Sequence, residues 1–321
     1  MKMFVYSLRE YDERAFFDGM TAKYGVEYSS TGEKPTLENA DLAKGYDAVN
    51  ILTSPVDAAL IDRFWDLGVR CIATRTIGYN HIDHVYARNV GMGVVNIAYS
   101  PATVADYTVM MILIGLRKLK YIQLRAGLQD FSLEGKLGRE LRSCTVGIIG
   151  TGRIGSCVAH ELKGFGCRII AYDPYEKEEL KDTVEYCSLD TLLKESDVIT
   201  LHAASENGGA HMIGREAFAE MKDGVGIVNC ARGSLIDSQA LIDNIKSSHV
   251  GFACLDTVEN EYDLYYFNRM GQPLDNPYLA ELKSFPNVLV TPHMAFYTDQ
   301  AVSDMVEHSI TGILEFFEKQ Q

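Results

Sequence analysis

The chain has 321 residues, 47% hydrophobic and 23% charged, a balance that suits a folded protein of about two domains and excludes a disordered one. Lys and Arg number 30 against 44 Asp and Glu, a formal charge of −14, which argues against nucleic acid or a membrane surface as partner. Seven cysteines with no CxxC pair argue against a disulfide framework or a metal site and for a reducing compartment. The N-terminal apolar run covers only residues 3–6, and the longest, 107–116, is far too short to span a bilayer. These features predict a cytoplasmic protein.

Apolar runs alternate with helix-period segments throughout, the pattern of an α/β fold with parallel sheets. Up to residue 100, strands are expected at 3–8, 47–52, 69–74 and 94–97, with helices at 13–24, 57–67 and 84–89. Ser100-Pro101 then opens a helix reaching about residue 119, with Ser as N-cap and Pro at the first helical position. It is apolar almost all round, so it must be buried between layers, domains or subunits; a homodimer is one solution. The basic run Arg117-Lys118-Leu119-Lys120 suits the C-terminal end of that helix. Beyond residue 144, strands at 145–149, 168–172, 198–202, 226–230, 251–255 and 288–291 alternate with helices at 153–163, 189–195 and 238–246. A last amphipathic helix, 299–318, is expected to return to the first domain and make it discontinuous.

Gly150-Thr-Gly152-Arg-Ile-Gly155 is a GxGxxG segment directly after a strand and opening a helix. Gly150 permits the tight turn, Gly152 lets backbone approach a pyrophosphate, and Gly155 lets the helix pack on the strand. The helix starting at Arg153 and Ile154 turns unpaired N–H groups to the phosphates. Asp173 ends the next strand, 23 positions after Gly150, where a carboxylate accepts from the adenosine ribose hydroxyls and repels a 2′-phosphate. Pro174 and Tyr175, rather than an Arg, follow it, so NAD is favoured over NADP.

Three polar residues fall at or just beyond the C-terminal ends of later strands, where open α/β sheets place ligands. They are Arg232, a glutamate at 259 or 261, and His293. Arg is bidentate and always charged, which suits a carboxylate. His can protonate a nascent alkoxide near neutral pH, and a carboxylate can orient it. The residues thus predict an NAD-dependent oxidoreductase acting on a small acid.

The order of Arg75-Thr-Ile-Gly78-Tyr-Asn-His-Ile-Asp83, Tyr99-Ser-Pro101, the glycine segment, Asn229-Cys-Ala-Arg-Gly233, Leu255-Asp256 and Thr291-Pro-His293 resembles the D-isomer-specific 2-hydroxyacid dehydrogenase family over the whole chain. The segment 262–279, with Phe267-Asn and Gln272-Pro-Leu-Asp-Asn276, and the run His293-Met-Ala-Phe-Tyr-Thr298 are most similar to its D-lactate dehydrogenase branch. The resemblance implies two doubly wound parallel-sheet domains. A Rossmann NAD-binding domain would span 101–296, and a flavodoxin-like, discontinuous substrate domain would combine 1–100 with 297–321. It selects Glu261, five residues after Asp256, as the partner of His293. It places Ile77, Gly78, Tyr99 and Phe296 about the substrate, a small 2-keto or 2-hydroxy acid. It sets Ala203, Ala204, Cys230 and Ala231 along NAD, with Asp256 on the nicotinamide carboxamide. Leu201-His-Ala-Ala204 departs from the family's common Leu-His-Val-Pro. The expected reaction is pyruvate and NADH to D-lactate and NAD. The alternatives are the same chemistry on 2-oxoisocaproate, phenylpyruvate or 2-oxoglutarate, or a non-catalytic NAD(H)-sensing protein.

Overall fold

The computed structural model describes residues 1–204, 211–261, 264 and 268–319. The chain divides into two compact units, Met1–Ser100 with Tyr297–Gln321, and Pro101–Phe296. Phe267, part of the run that resembles the lactate branch, lies outside the described residues.

In the first unit, strands β1 (Lys2–Val5), β2 (Glu27–Ser30), β3 (Ala48–Ile51), β4 (Cys71–Thr74) and β5 (Gly93–Val95) lie in the order β2-β1-β3-β4-β5. All pairs are parallel, and this is the flavodoxin-like order. β3 and β4 are buried along their whole length, as parallel strands covered on both faces must be, which is why they read as continuous runs. β2 escaped the sequence reading because Glu27-Tyr-Ser-Ser30 is a half-exposed strand at the sheet edge with no apolar alternation. The helix Asp299–Glu318 lays Val306, Ile310 and Ile313 into a core with Met3, Val5 and Phe17. Thr298 starts that helix by accepting the N–H of Ala301 on its Oγ1 at 3.2 Å.

The same unit buries an ion pair. Arg75 donates from Nε to Glu13 Oε1 at 2.9 Å, with both side chains fully buried. Its other nitrogens donate to Asn50 Oδ1 and to the carbonyls of Tyr6 and Ser7. So many partners offset the desolvation of the charge, and they fix the start of the loop that carries Ile77 and Gly78.

In the second unit, β6 (Thr145–Ile149), β7 (Arg168–Tyr172), β8 (Glu185–Tyr186), β9 (Val198–Leu201), β10 (Val225–Asn229), β11 (Val250–Leu255) and β12 (Val288–Val290) form a parallel sheet in the order β12-β11-β10-β9-β6-β7-β8. The chain runs from β6 outward to β8, then returns to the other side of β6 at β9. That reversal is the topological switch point of a Rossmann sheet, where the strand ends open a crevice. The helix Ala102–Leu116 buries Val104, Thr108, Met111 and Ile112. A Cβ at its Gly115 would stand 2.1 Å from the Phe252 ring, so glycine is what allows the helix to close on β11.

Two expectations for this helix are corrected. Pro101 rather than Ser100 takes the cap position. The helix also stops at Leu116, because Lys118 adopts a left-handed φ of 52° and a second helix, Leu119–Gly127, begins. Of the basic run, Arg117 is the C-cap of the first helix, whereas Lys118 caps the start of the second and Lys120 lies within it. Lys120 Nζ donates to the carbonyls of Lys283, Phe285 and Val288 at 3.0, 2.8 and 2.6 Å. The helices Arg215–Ala219 and Leu279–Ser284 were not anticipated, being too short to display a period.

Candidate active site

The glycine segment turns at the end of β6, beside the switch point. Gly150 has φ 91°, and a Cβ there would lie 2.7 Å from Ala203 N. At Gly155 a Cβ would stand 1.9 Å from Gly150 O, whereas at Gly152 it would meet nothing within 4 Å. Two glycines are thus demanded by the protein's own backbone, and the middle one faces open space at the start of the helix Arg153–Lys163. This fits a dinucleotide, whose pyrophosphate needs an uncluttered helix N-terminus.

Asp173 follows β7 and is tied to the same loop. Its Oδ2 accepts from Thr151 N at 2.6 Å and from Thr151 Oγ1 at 3.2 Å, while Oδ1 accepts from Tyr175 N at 2.8 Å. The carboxylate is half-buried, and Oδ1, with one donor, keeps a lone pair for a ribose hydroxyl. Ala203 is half-buried and Ala204 exposed after β9, and Cys230 is buried and Ala231 half-buried after β10. Burial pushes the Cys230 thiol far above its usual range, which keeps it un-ionised.

Arg232, Glu261 and His293, the residues expected to carry the chemistry, follow β10, β11 and β12. His293 Nδ1 lies 3.3 Å from Glu261 Oε1. Glu261 is 8% exposed, its Oε2 accepts Val258 N at 2.7 Å, and burial raises its carboxyl above the usual range. Glu259, which spacing could not separate from Glu261, faces away: its Oε1 accepts from His211 Nε2 at 2.6 Å. The geometry therefore gives Glu261 to His293. Arg232 is exposed, and its Nη1 donates to Ala231 O at 2.8 Å. Among the described residues no carboxylate stands within ion-pair distance of it.

Asp256 is the residue whose place the sequence did not reveal. It is 1% exposed. Its Oδ1 accepts from Thr291 Oγ1 at 2.6 Å and Met294 N at 2.8 Å, its Oδ2 from Ala295 N at 2.8 Å, and its carbonyl from His293 N at 2.9 Å. The carboxylate thus ties down the loop bearing His293, while Oδ2, with one donor, keeps a lone pair. That loop holds His293 at φ 53°, a conformation costly for a non-glycine residue unless its surroundings enforce it. Phe296 is 6% exposed, and its ring sits edge-on to His293 with centroids 6.3 Å apart.

Ile77, Gly78 and Tyr99 belong to the first unit, after β4 and β5. Asn96 Nδ2 donates to Ile77 O at 2.7 Å, and Thr76 Oγ1 donates to Gly78 O at 2.6 Å. Both carbonyls are thereby occupied. Among the described residues the N–H groups of Ile77 and Gly78 have no acceptor, and adjacent N–H groups of this kind suit an anion. Tyr99 is half-buried.

Comparison with known proteins agrees with this geometry. The sequence model described as "D-isomer specific 2-hydroxyacid dehydrogenase, NAD binding domain" matches residues 109–295. An aromatic 2-oxoacid reductase of Clostridium sporogenes is 44% identical over 319 residues, covering 98% of this chain and 96% of the relative. A D-2-hydroxyisocaproate dehydrogenase superposes with a TM-score of 0.92 at 34% identity, covering 100% of this chain and 98% of the other. A D-lactate dehydrogenase of Treponema pallidum gives 0.92 at 32% identity, covering 99% and 97%. The chain belongs to the D-isomer specific 2-hydroxyacid dehydrogenase family, and it is an NAD-dependent oxidoreductase.

Proposed function

We propose that this enzyme reduces a 2-oxo acid to its D-2-hydroxy acid, with His293 as proton donor and Arg232 as carboxylate anchor. The observation that carries this reading is the placement of His293 Nδ1 against the buried Glu261 carboxylate, which leaves Nε2 as the edge for substrate. Bound NADH supplies a hydride to the keto carbon. Nε2 of His293 gives its proton to the keto oxygen as the C=O double bond becomes single, and Glu261 steadies the imidazolium beforehand. The Arg232 guanidinium offers two parallel N–H donors to the acid's carboxylate. Gly150, Gly152, Arg153, Ile154 and Gly155 hold the pyrophosphate and Asp173 the ribose. Ala203, Ala204, Cys230 and Ala231 line the cofactor. In the first unit, the N–H groups of Ile77 and Gly78 and the ring of Tyr99 serve the substrate, as Phe296 does in the second.

Two substrate classes have support. The motif resemblance and the Treponema likeness favour pyruvate, giving D-lactate. The 44% identity to the Clostridium reductase over nearly the whole chain favours an aromatic 2-oxo acid, and we take the higher identity as the better guide. Initial rates of NADH oxidation with pyruvate, 2-oxobutyrate, 2-oxoisocaproate, phenylpyruvate, 2-oxoglutarate and hydroxypyruvate test this. Phenylpyruvate is expected to give the highest kcat/KM; a maximum at pyruvate establishes the lactate reading, and no turnover on any of them overturns the roles given to His293 and Arg232.

The protein is proposed to be a cytoplasmic homodimer. All seven cysteines are free thiols, as a reducing compartment maintains them. Among the described residues no helix is long and apolar enough to cross a membrane. Leu128, Phe131, Leu133 and Leu137 are 79 to 90% exposed on one short stretch of the second unit, a concentration of apolar surface that a second copy would cover.

A further inference from the structure

The rejected glutamate has a position of its own. Glu259 Oε1 accepts from His211 Nε2 at 2.6 Å, and its Oε2 accepts from the backbone N–H of Ser238 at 2.9 Å. His211 lies between β9 and β10, and Ser238 opens the helix after the Arg232 loop. One carboxylate thus joins three loops at the C-terminal edge of the sheet. The turn on which it sits is tightly defined. Val258 N donates to Glu261 Oε2, Asn260 takes φ 56°, and Asn276 Nδ2 donates to Glu259 O at 2.7 Å. A Cβ at Gly233, next to Arg232, would stand 2.1 Å from the carbonyl carbon of Val258, so the Arg232 loop rests directly on this turn.

We propose that Glu259 is a positioning residue: by clasping His211 and Ser238 it fixes the Val258–Glu261 turn that aims Glu261 at His293 and seats the Arg232 loop. The inference rests on the reading of His293 as the proton donor. Besides Glu261, among the described residues Asp256 accepts the N–H of His293 on its carbonyl, and Tyr107 hydrogen-bonds Thr291 from the helix Ala102–Leu116. Neither of these touches Glu259. Its influence therefore passes through the backbone of the turn.

The test is a histidine NMR titration of His293, assigned with a His293→Gln sample, together with reduction rates across pH. Glu259→Ala is expected to move the His293 midpoint to lower pH, toward the value in Glu261→Gln, and to lower kcat about tenfold with the NADH Kd within about twofold of wild type. Glu259→Gln keeps an acceptor for Ser238 and offers a donor to His211, so it should restore most of both. His211→Asn should shift the midpoint in the same direction by less, and it serves if Glu259→Ala does not fold. An unmoved midpoint in Glu259→Ala, or in His211→Asn where the alanine variant is unfolded, overturns the proposal. Full turnover in His293→Ala would overturn the proton-donor reading instead, while the midpoint would still report on Glu259.

Discussion

His293 Nδ1 and Glu261 Oε1 stand 3.3 Å apart, with the carboxylate 8% exposed. Burial disfavours the charged carboxylate and holds its carboxyl above the ordinary range. The folded protein therefore binds this proton more tightly than the unfolded chain, and stability falls as pH rises above the ordinary Glu value of about 4.3 through the raised one. Glu261→Gln removes that cost and also the charge that steadies the imidazolium. The variant should melt higher than wild type near pH 8, with the gain gone near pH 4. Its reduction rate should be lower by roughly 10²-fold, and the high-pH fall of that rate should move to lower pH. Scanning calorimetry and a pH–rate profile on the same samples check both, and a variant that is destabilised and unshifted would contradict them.

His202 behaves in the opposite sense. Burial lowers its imidazole to about 4, and its Nε2 lies 2.9 Å from Thr200 Oγ1. The unfolded chain takes this proton near pH 6.5, so stability contributed by the neutral ring is lost between about 6.5 and about 4 on acidification. Urea midpoints should drop over that range in wild type and drop less in His202→Gln.

The glycine segment separates packing from cofactor binding. Gly155→Ala places a Cβ 1.9 Å from Gly150 O, and should lower Tm by at least about 5 °C whether or not NADH is present. Gly152→Ala adds a methyl where nothing lies within 4 Å. It should melt like wild type without NADH, yet raise the NADH Kd at least about tenfold. Thermal shift assays with and without NADH distinguish the two.

The exposed apolar stretch predicts assembly. Light scattering should give about twice 35.7 kDa for wild type. Leu133→Asp combined with Leu137→Asp should give the monomer with its secondary structure intact by circular dichroism. A wild-type monomer at micromolar concentration would refute the dimer.

Most elements were legible because their burial wrote a period into the sequence. Asp299–Glu318 has an apolar stripe and a threonine cap, and β10 and β11 are apolar because both faces are covered. β2 was not, since an edge strand of Glu, Tyr and two serines buries too little to leave a pattern. At the site, spacing located Arg232 and His293, but 259 and 261 are both odd-numbered positions of one turn. The family resemblance selected Glu261, and the path of the turn, with Asn260 in the left-handed region, is what brings that glutamate and not Glu259 to the histidine. Asp256 could not be read as the anchor of the histidine loop for a similar reason. Its partners lie 35 to 39 residues away in sequence, a distance at which no local pattern operates.

The helix Asp299–Glu318 completes the core of Met3, Val5, Ala48, Cys71 and Ala73 although the whole of Pro101–Phe296 separates them in the chain. During synthesis, at about 5–20 residues per second, strands β1–β5 must wait on the order of tens of seconds for that helix. Over that interval one face of their sheet is bare and adhesive, while the later unit can already close. The nascent protein should consequently lean on chaperones. A circular permutant that starts at Tyr297 would deliver the helix ahead of the strands, and should yield more native protein and fewer inclusion bodies when expressed without chaperone support.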